Sequence, residues 1–183
     1  MAKNKNPLAG PIIIILLTLL TIGLVRHFHI KNFNTVVPGA LYTSGQPRNM
    51  DYTRLLYKYH IATFVNVRMS SEHREDNWYN HELNWMNNNA AKYVELPIER
   101  TDKSKQFPDP ATQEEFLKLM GEKTNLPVLL HGNSGRKRVS MLAAVWLIKS
   151  QKLSIDETVR IAEKIKDKKL TKLEKEFIKN LAG

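Results

Sequence analysis

Cysteine is absent from all 183 residues, which excludes disulfides, thiolate metal sites and any cysteine nucleophile. The redox compartment stays open, because a cysteine-free chain survives equally well in the cytosol or the periplasm. Histidine is scarce as well: the six lie scattered at 27, 29, 60, 73, 81 and 131, with no metalloprotease-like spacing, so neither a metal site nor a cofactor is expected. Acidic residues are in deficit, 18 against 28 Lys and Arg, for a net charge of +10. Such a surface draws anions, whether phosphate groups, acidic lipid headgroups or nucleic acid, and charge alone does not choose among them. Nucleic acid is not expected as a partner, since no strand pair interleaves aromatic and basic residues. There is no internal repeat. At 42% hydrophobic the chain can bury one sizeable core and is too short for two full domains.

One long apolar run is present. Residues 8–25, LAGPIIIILLTLLTIGLV, carry no charge, with Lys3 and Lys5 before them and Arg26, His27, His29 and Lys31 after. As a helix this run is just long enough for a hydrocarbon core. No small-x-small cleavage pattern closes it, which favours a single-pass N-terminal anchor over a cleaved signal. Basic residues flank both sides, so the charge rule does not orient it. A short basic N-terminus that stays inside would leave the rest of the chain on the outer, periplasmic side. Residues 1–31 thus form an anchor with its flanks and residues 32–183 a globular domain.

Strand and helix patterns alternate through that domain. LYTSGQP (41–47) reads as a short strand and turn, residues 51–59 as a helix, HIATFVNVR (60–68) as a buried strand, 72–91 as a helix, and KYVELPI (92–98) as another strand. Asp109 followed by Pro110 caps a helix to about Met120. Leu126 to Leu130 is a short strand, 137–150 a helix, and Ser154 with Glu157 and Thr171 with Glu174 announce two more. This alternation predicts an α/β domain with a central, mostly parallel sheet flanked by helices.

LLHGNSGRKRVS (129–140) joins the last strand to a helix. A loop at such a junction points successive backbone N–H groups inward, and the helix dipole adds positive potential, so it binds phosphate without any special side chain. Gly135 permits a tight turn, and Arg138 supplies a planar fork that fits two phosphate oxygens. His131 reads as an ordering residue of the loop. Asn133, Ser134, Gly135, Arg136, Lys137 and Arg138 are the candidate phosphate-binding positions.

The loop resembles the signature of the cysteine-dependent protein tyrosine and dual-specificity phosphatases, His-Cys, five residues, Arg, then Ser or Thr. VVPGALYTSGQP, FVNVR and VELPI extend the resemblance over most of the domain, towards the bacterial dual-specificity-like branch. Two family positions do not match. Gly132 stands where the resemblance places the nucleophilic cysteine, and Val139 where it places the hydroxyl that helps the thiolate leave; Ser140 comes one residue too late. The family's general acid, an Asp in the loop after the VELPI-like strand, corresponds best to Asp102, with Asp109 second and better explained as a cap.

The positions lost are those of covalent chemistry and the positions kept are those that bind. Without a heteroatom at 132 no phospho-enzyme can form by the family's route. Removing a thiolate also removes a charge that, at about 4 Å and an effective dielectric near 20, repels a unit negative charge by roughly 4 kcal/mol. With the anchor read from residues 8–25, the resemblance implies a membrane-anchored pseudophosphatase holding a phosphorylated protein or a phosphoinositide-like ligand. Two alternatives remain open at this point: a true phosphatase that activates water through Asp102 or His131, and an engineered inactive form of an active phosphatase, against which Val139 argues. A purely structural role with a vestigial pocket is a further reading.

Overall fold

The computed structural model describes residues 9–74, 77–100, 102 and 106–183. The chain divides into two units, one ending at Ile30 and the other running from Lys31 to Gly183. The first is helix α1, Ala9–Phe28. Among the described residues no helix is long and apolar enough to cross a membrane. Leu8, Lys3 and Lys5 lie outside the described residues, as does Lys103 beside Asp102.

The second unit is an α/β domain. Its strands are β1 (Asn34–Val37), β2 (Leu41–Ser44), β3 (Thr63–Asn66), β4 (Lys92–Glu95) and β5 (Val128–His131), arranged in the order β1-β2-β5-β3-β4. Only β1 runs antiparallel; the other pairs are parallel. β5 is therefore central, with Leu41 and Thr63 both level with Val128, and Ser44 and Asn66 both level with His131. A parallel centre covered on both faces needs apolar residues at successive positions, and β3 and β5 are buried at every residue.

Helices α2 (Met50–Tyr59) and α3 (Trp78–Asn88) belong with one aromatic layer, in which Tyr52, Phe64 and Trp85 lie ring to ring at 5.1 to 6.3 Å. The larger core holds Val65, Val128 and Leu130 from the sheet with α4 (Pro110–Gly121), α5 (Lys137–Lys149), α6 (Ile155–Lys166) and α7 (Lys172–Leu181). α5 is buried from Val139 to Ile148 and packs against α4, α6 and α7, so it is the pillar of this layer. Such all-round apolarity marks a helix in the middle of a core.

Two local expectations are corrected. The helix read over 72–91 is a 3₁₀ turn at Ser70–Arg74 followed by the shorter α3. Asn34–Val37 is an additional strand, an edge of four residues whose partly exposed pattern carries little hydrophobic signal.

Candidate functional site

The loop from Gly132 to Arg136 leaves the central strand at its C-terminal end and enters α5. Gly135 has φ +67°, and a Cβ there would stand 2.2 Å from the Gly45 nitrogen and the Ser44 carbonyl carbon. The loop thus lies backbone against backbone on the end of β2, an approach that only glycine permits. Its carbonyls are drawn outward: Asn133 O accepts from Lys31 Nζ at 2.9 Å and from the Gln46 amide at 3.3 Å, and Ser134 O accepts from Asn32 Nδ2 at 2.6 Å. Among the described residues the amides of Asn133, Ser134, Gly135 and Arg136 donate to no acceptor. A row of such amides ahead of a helix N-terminus is an anion cradle.

Arg138, on the first turn of α5, is held from one side. Its Nη1 donates to the Glu72 carboxylate and to Val67 O at 3.4 Å, and Nη2 donates to Glu72 Oε1 at 3.2 Å. Among the described residues Nε and the second Nη2 hydrogen find no acceptor, so the fork they form is the edge left for two phosphate oxygens. Glu72 is itself pinned by the Met69 amide at 2.7 Å and lies 3.7 Å from Arg68 Nε. Burial by itself pushes the Glu72 carboxyl up, but the hydrogen bonds from Arg138 and Met69 and the charges of Arg138 and Arg68 outweigh it and hold the carboxyl below its ordinary value.

His131 is fully buried below the loop. Its ring makes no hydrogen bond among the described residues, and its nearest charged neighbour is Glu82, with Nε2 to Oε1 at 3.4 Å. Burial lowers the imidazole pKa, Glu82 opposes this, and Arg68 adds to it. Glu82, also fully buried, accepts from Gln46 Nε2 at 2.8 Å, from the Tyr52 and Tyr93 hydroxyls at 2.9 Å and from Asn66 Nδ2 at 3.4 Å. A buried carboxylate satisfied by so many donors ties the turn after β2 to β3, β4, α2 and α3 under the loop.

The remaining candidates separate. Arg136 Nη2 meets Asp167 Oδ2 at 3.3 Å, and Lys137 Nζ lies 5.3 Å from the Phe107 ring centre. Val139 is buried in the core, and Ser140 Oγ donates to Lys137 O at 2.9 Å, within the helix. A Cβ on Gly132 would come 3.2 Å from Val67 Cγ2 and 3.6 Å from Val139 Cγ2, so the floor beneath the loop is made of two valine methyls. Asp102 is exposed in a bend whose immediate neighbours lie outside the described residues. Asp109 accepts from the Thr112 amide at 2.8 Å as the cap of α4. No three His, Asp or Glu side chains among the described residues come together to hold a metal ion.

Glu72, Glu82, Lys31 and Arg68 are site residues that sequence reasoning passed over. Glu72 sits in a polar run 66 positions from its partner Arg138, and nothing local announces that pairing. Glu82 did leave a trace, because Trp78, Glu82, Trp85 and Met86 share one helical face, and a carboxylate in an apolar stripe implies buried partners.

Comparison with known proteins agrees with this architecture. The core catalytic domain of the PP-IP phosphatase SIW14 from S. cerevisiae, solved with citrate, superposes with a TM-score of 0.67 at 19% identity, over 82% of this chain and 85% of that one. PTPMT1 in complex with PI(5)P gives 0.61 at 16% identity, over 81% and 96%. TpbA from P. aeruginosa gives 0.54 at 18%, over 83% and 89%; a variant of that protein was solved in complex with pTyr. At such identities the likeness is one of fold. The model of the tyrosine phosphatase family matches residues 28–182, so the chain belongs to the tyrosine phosphatase family, with Gly132 at the position of that family's nucleophilic cysteine.

Proposed function

We propose that this protein is a pseudophosphatase that binds phosphate monoesters on the amides of Asn133 to Arg136 and the free edge of Arg138 without hydrolysing them. The observation that carries the reading is the floor of the loop. Position 132 carries no heteroatom, a Cβ there would meet the Val67 and Val139 methyls at 3.2 and 3.6 Å, and the hydroxyl one residue after Val139, Ser140, is committed to a helix carbonyl. The binding elements are intact and the covalent elements are replaced by packed hydrocarbon. A water route through His131 finds no support, since that imidazole is fully buried. The ligand classes seen with related folds, a phosphoinositide and phosphotyrosine, share the phosphate monoester that this cradle fits.

In the same proposal residues 1–31 anchor the protein in a membrane, with the domain from residue 32 on its outer side. The eighteen uncharged residues from Leu8 to Val25 and the helical backbone of Ala9–Phe28 support it. Extraction from membranes by alkali, against detergent, tests the anchor, and protease accessibility in intact cells tests the side. For the site itself the test is titration with inorganic phosphate and phenyl phosphate. Binding that is lost in Arg138→Ala, together with no release of phenol, is the expected result; turnover that survives rigorous purification overturns the pseudophosphatase reading.

A further inference from the structure

Beside Asn133 a cavity of about 360 Å³ opens between the start of α2 and Trp78, lined by Arg48, Asn49, Arg68, Trp78 and His81 and, among the described residues, by no carboxylate. Arg68 is held flat in it, with Cζ 3.6 Å from the centre of the Trp78 ring and Nη1 donating to Gln46 Oε1 at 3.5 Å. Arg48, at its exposed rim, has a guanidinium without an acceptor among the described residues. The acid of that turn, Asp51, accepts from the Arg48 backbone amide at 3.0 Å and faces Arg54 at 3.6 Å. Between them Asn49 is held at φ 44° and ψ −113°, a strained backbone of the sort that accumulates at ligand-binding positions.

Lys31 completes the group. Its ammonium donates to a neutral partner, Asn133 O. Burial first, and then the charges of Arg48, Arg68 and Arg136, lower its pKa, so these cations lie close enough to repel one another. Crowded cations of this kind are relieved by an anion placed among them.

We infer that this cavity is a second anion subsite, in which Arg48, with Lys31 bonded to the lining residue Asn133, receives a further phosphate of the ligand whose first phosphate rests on the loop and Arg138. The inference rests on the phosphate-binding reading above and narrows it: the ligand is a small scaffold carrying more than one phosphate, free or as a lipid headgroup, and not a single aryl phosphate on a protein. Arg48 is then a specificity-determining residue, while the loop amides and Arg138 supply the common grip.

The test compares the full chain, in a neutral detergent, with Arg48→Ala, Arg138→Ala and a remote control, Lys118→Ala, by calorimetric titration of phenyl phosphate and inositol trisphosphate. A charged hydrogen-bonding partner is at stake, so Arg48→Ala should weaken inositol trisphosphate about tenfold and phenyl phosphate less than about twofold. Lys118→Ala should change neither, and Arg138→Ala should weaken both. Circular dichroism confirms that each variant is folded. Phosphatidylcholine vesicles with and without phosphatidylinositol bisphosphate form the second arm: retention on the doped vesicles that depends on Arg48 assigns a headgroup, and binding of the soluble probe alone assigns a free ligand. Equal losses for both probes in Arg48→Ala, or no preference of the wild type for the trisphosphate, overturn the subsite while leaving the phosphate reading intact. If the wild type binds neither probe, the phosphate reading fails and the subsite falls with it.

Discussion

A side chain on Gly132 would have its Cβ 3.2 Å from Val67 Cγ2 and 3.6 Å from Val139 Cγ2, and this decides what restoring the family residue can achieve. The Gly132→Cys variant must fit its Cβ against the Val67 methyl, and although the loop amides and the helix N-terminus favour its thiolate, Val139 offers no hydroxyl to help that thiolate leave in a second step. Phenyl phosphate hydrolysis should therefore stay at background. Gly132→Cys with Val139→Thr replaces one of those methyls by a hydroxyl at nearly the same volume, and should exceed the single variant by at least about tenfold. The pH dependence of iodoacetamide alkylation reports the thiolate directly. Strong turnover by the single variant would mean that only one residue separates this loop from an active one. Gly132, Gly135 and Arg138 were legible in the sequence because they are neighbours in one motif. The Val67 contact was not, since it comes from the chain after β3 and depends on how two strands lie side by side.

Helices and strands differ in how much of themselves they announce. Helix ends are written locally, and Asp109 with Pro110 and Thr171 with Glu174 stand in the structure as caps, the latter with both halves of the box formed. Ser154 accepts from the Glu157 amide, one half of the same motif. Thr171→Ala should accordingly cost about 1 kcal/mol in urea unfolding. The edge strand β1 was missed because its pairing with β2, not its own four residues, makes it a strand, and the 3₁₀ turn before α3 was missed because its role, carrying Glu72 to Arg138, is a tertiary one. The junction between β5 and α5 depends on an equally distant contact. Gly135→Ala, with its Cβ 2.2 Å from the Gly45 nitrogen and 2.4 Å from Ser44 O, must push the loop off β2. Phosphate binding should be lost, and the melting temperature should fall by several degrees, as about 2 kcal/mol implies for a domain of this size. Normal binding by that variant would show that the cradle does not depend on the loop lying on β2.

For the whole molecule, α/β alternation was enough to give the parallel sheet, but buried charges set its response to acid, and the partnerships of His131 with Glu82 and of Glu72 with Arg138 are not local. Among the described residues, His131, Glu72 and Glu174 are buried groups whose folded and unfolded states bind protons differently in acid. Burial holds the His131 pKa below its ordinary 6.5, so below about that pH the unfolded chain takes up a proton that the folded one refuses, and stability falls with acidification. For Glu174, burial works upward, but hydrogen bonds from Lys166 and Thr171 outweigh it, and both this carboxyl and that of Glu72 lie below the ordinary 4.5. Their contribution is complete above that value and is lost as pH falls through the depressed folded values. The two effects share a sign and act in sequence, so urea-unfolding free energy plotted against pH should decline in a first step beginning near 6.5 and a second beginning near 4.5. His131→Gln removes the first step and leaves the second. Glu72→Gln leaves the first step and reduces the second to the part that Glu174 supplies, while freeing Arg138 from its carboxylate. A pH profile of the wild type that is flat between 6.5 and 4.5 would mean that His131 is as easily protonated in the fold as out of it. In that case the buried pairing with Glu82, which already lies 3.4 Å away, holds an imidazolium, and the loop above it carries one more positive charge for its phosphate.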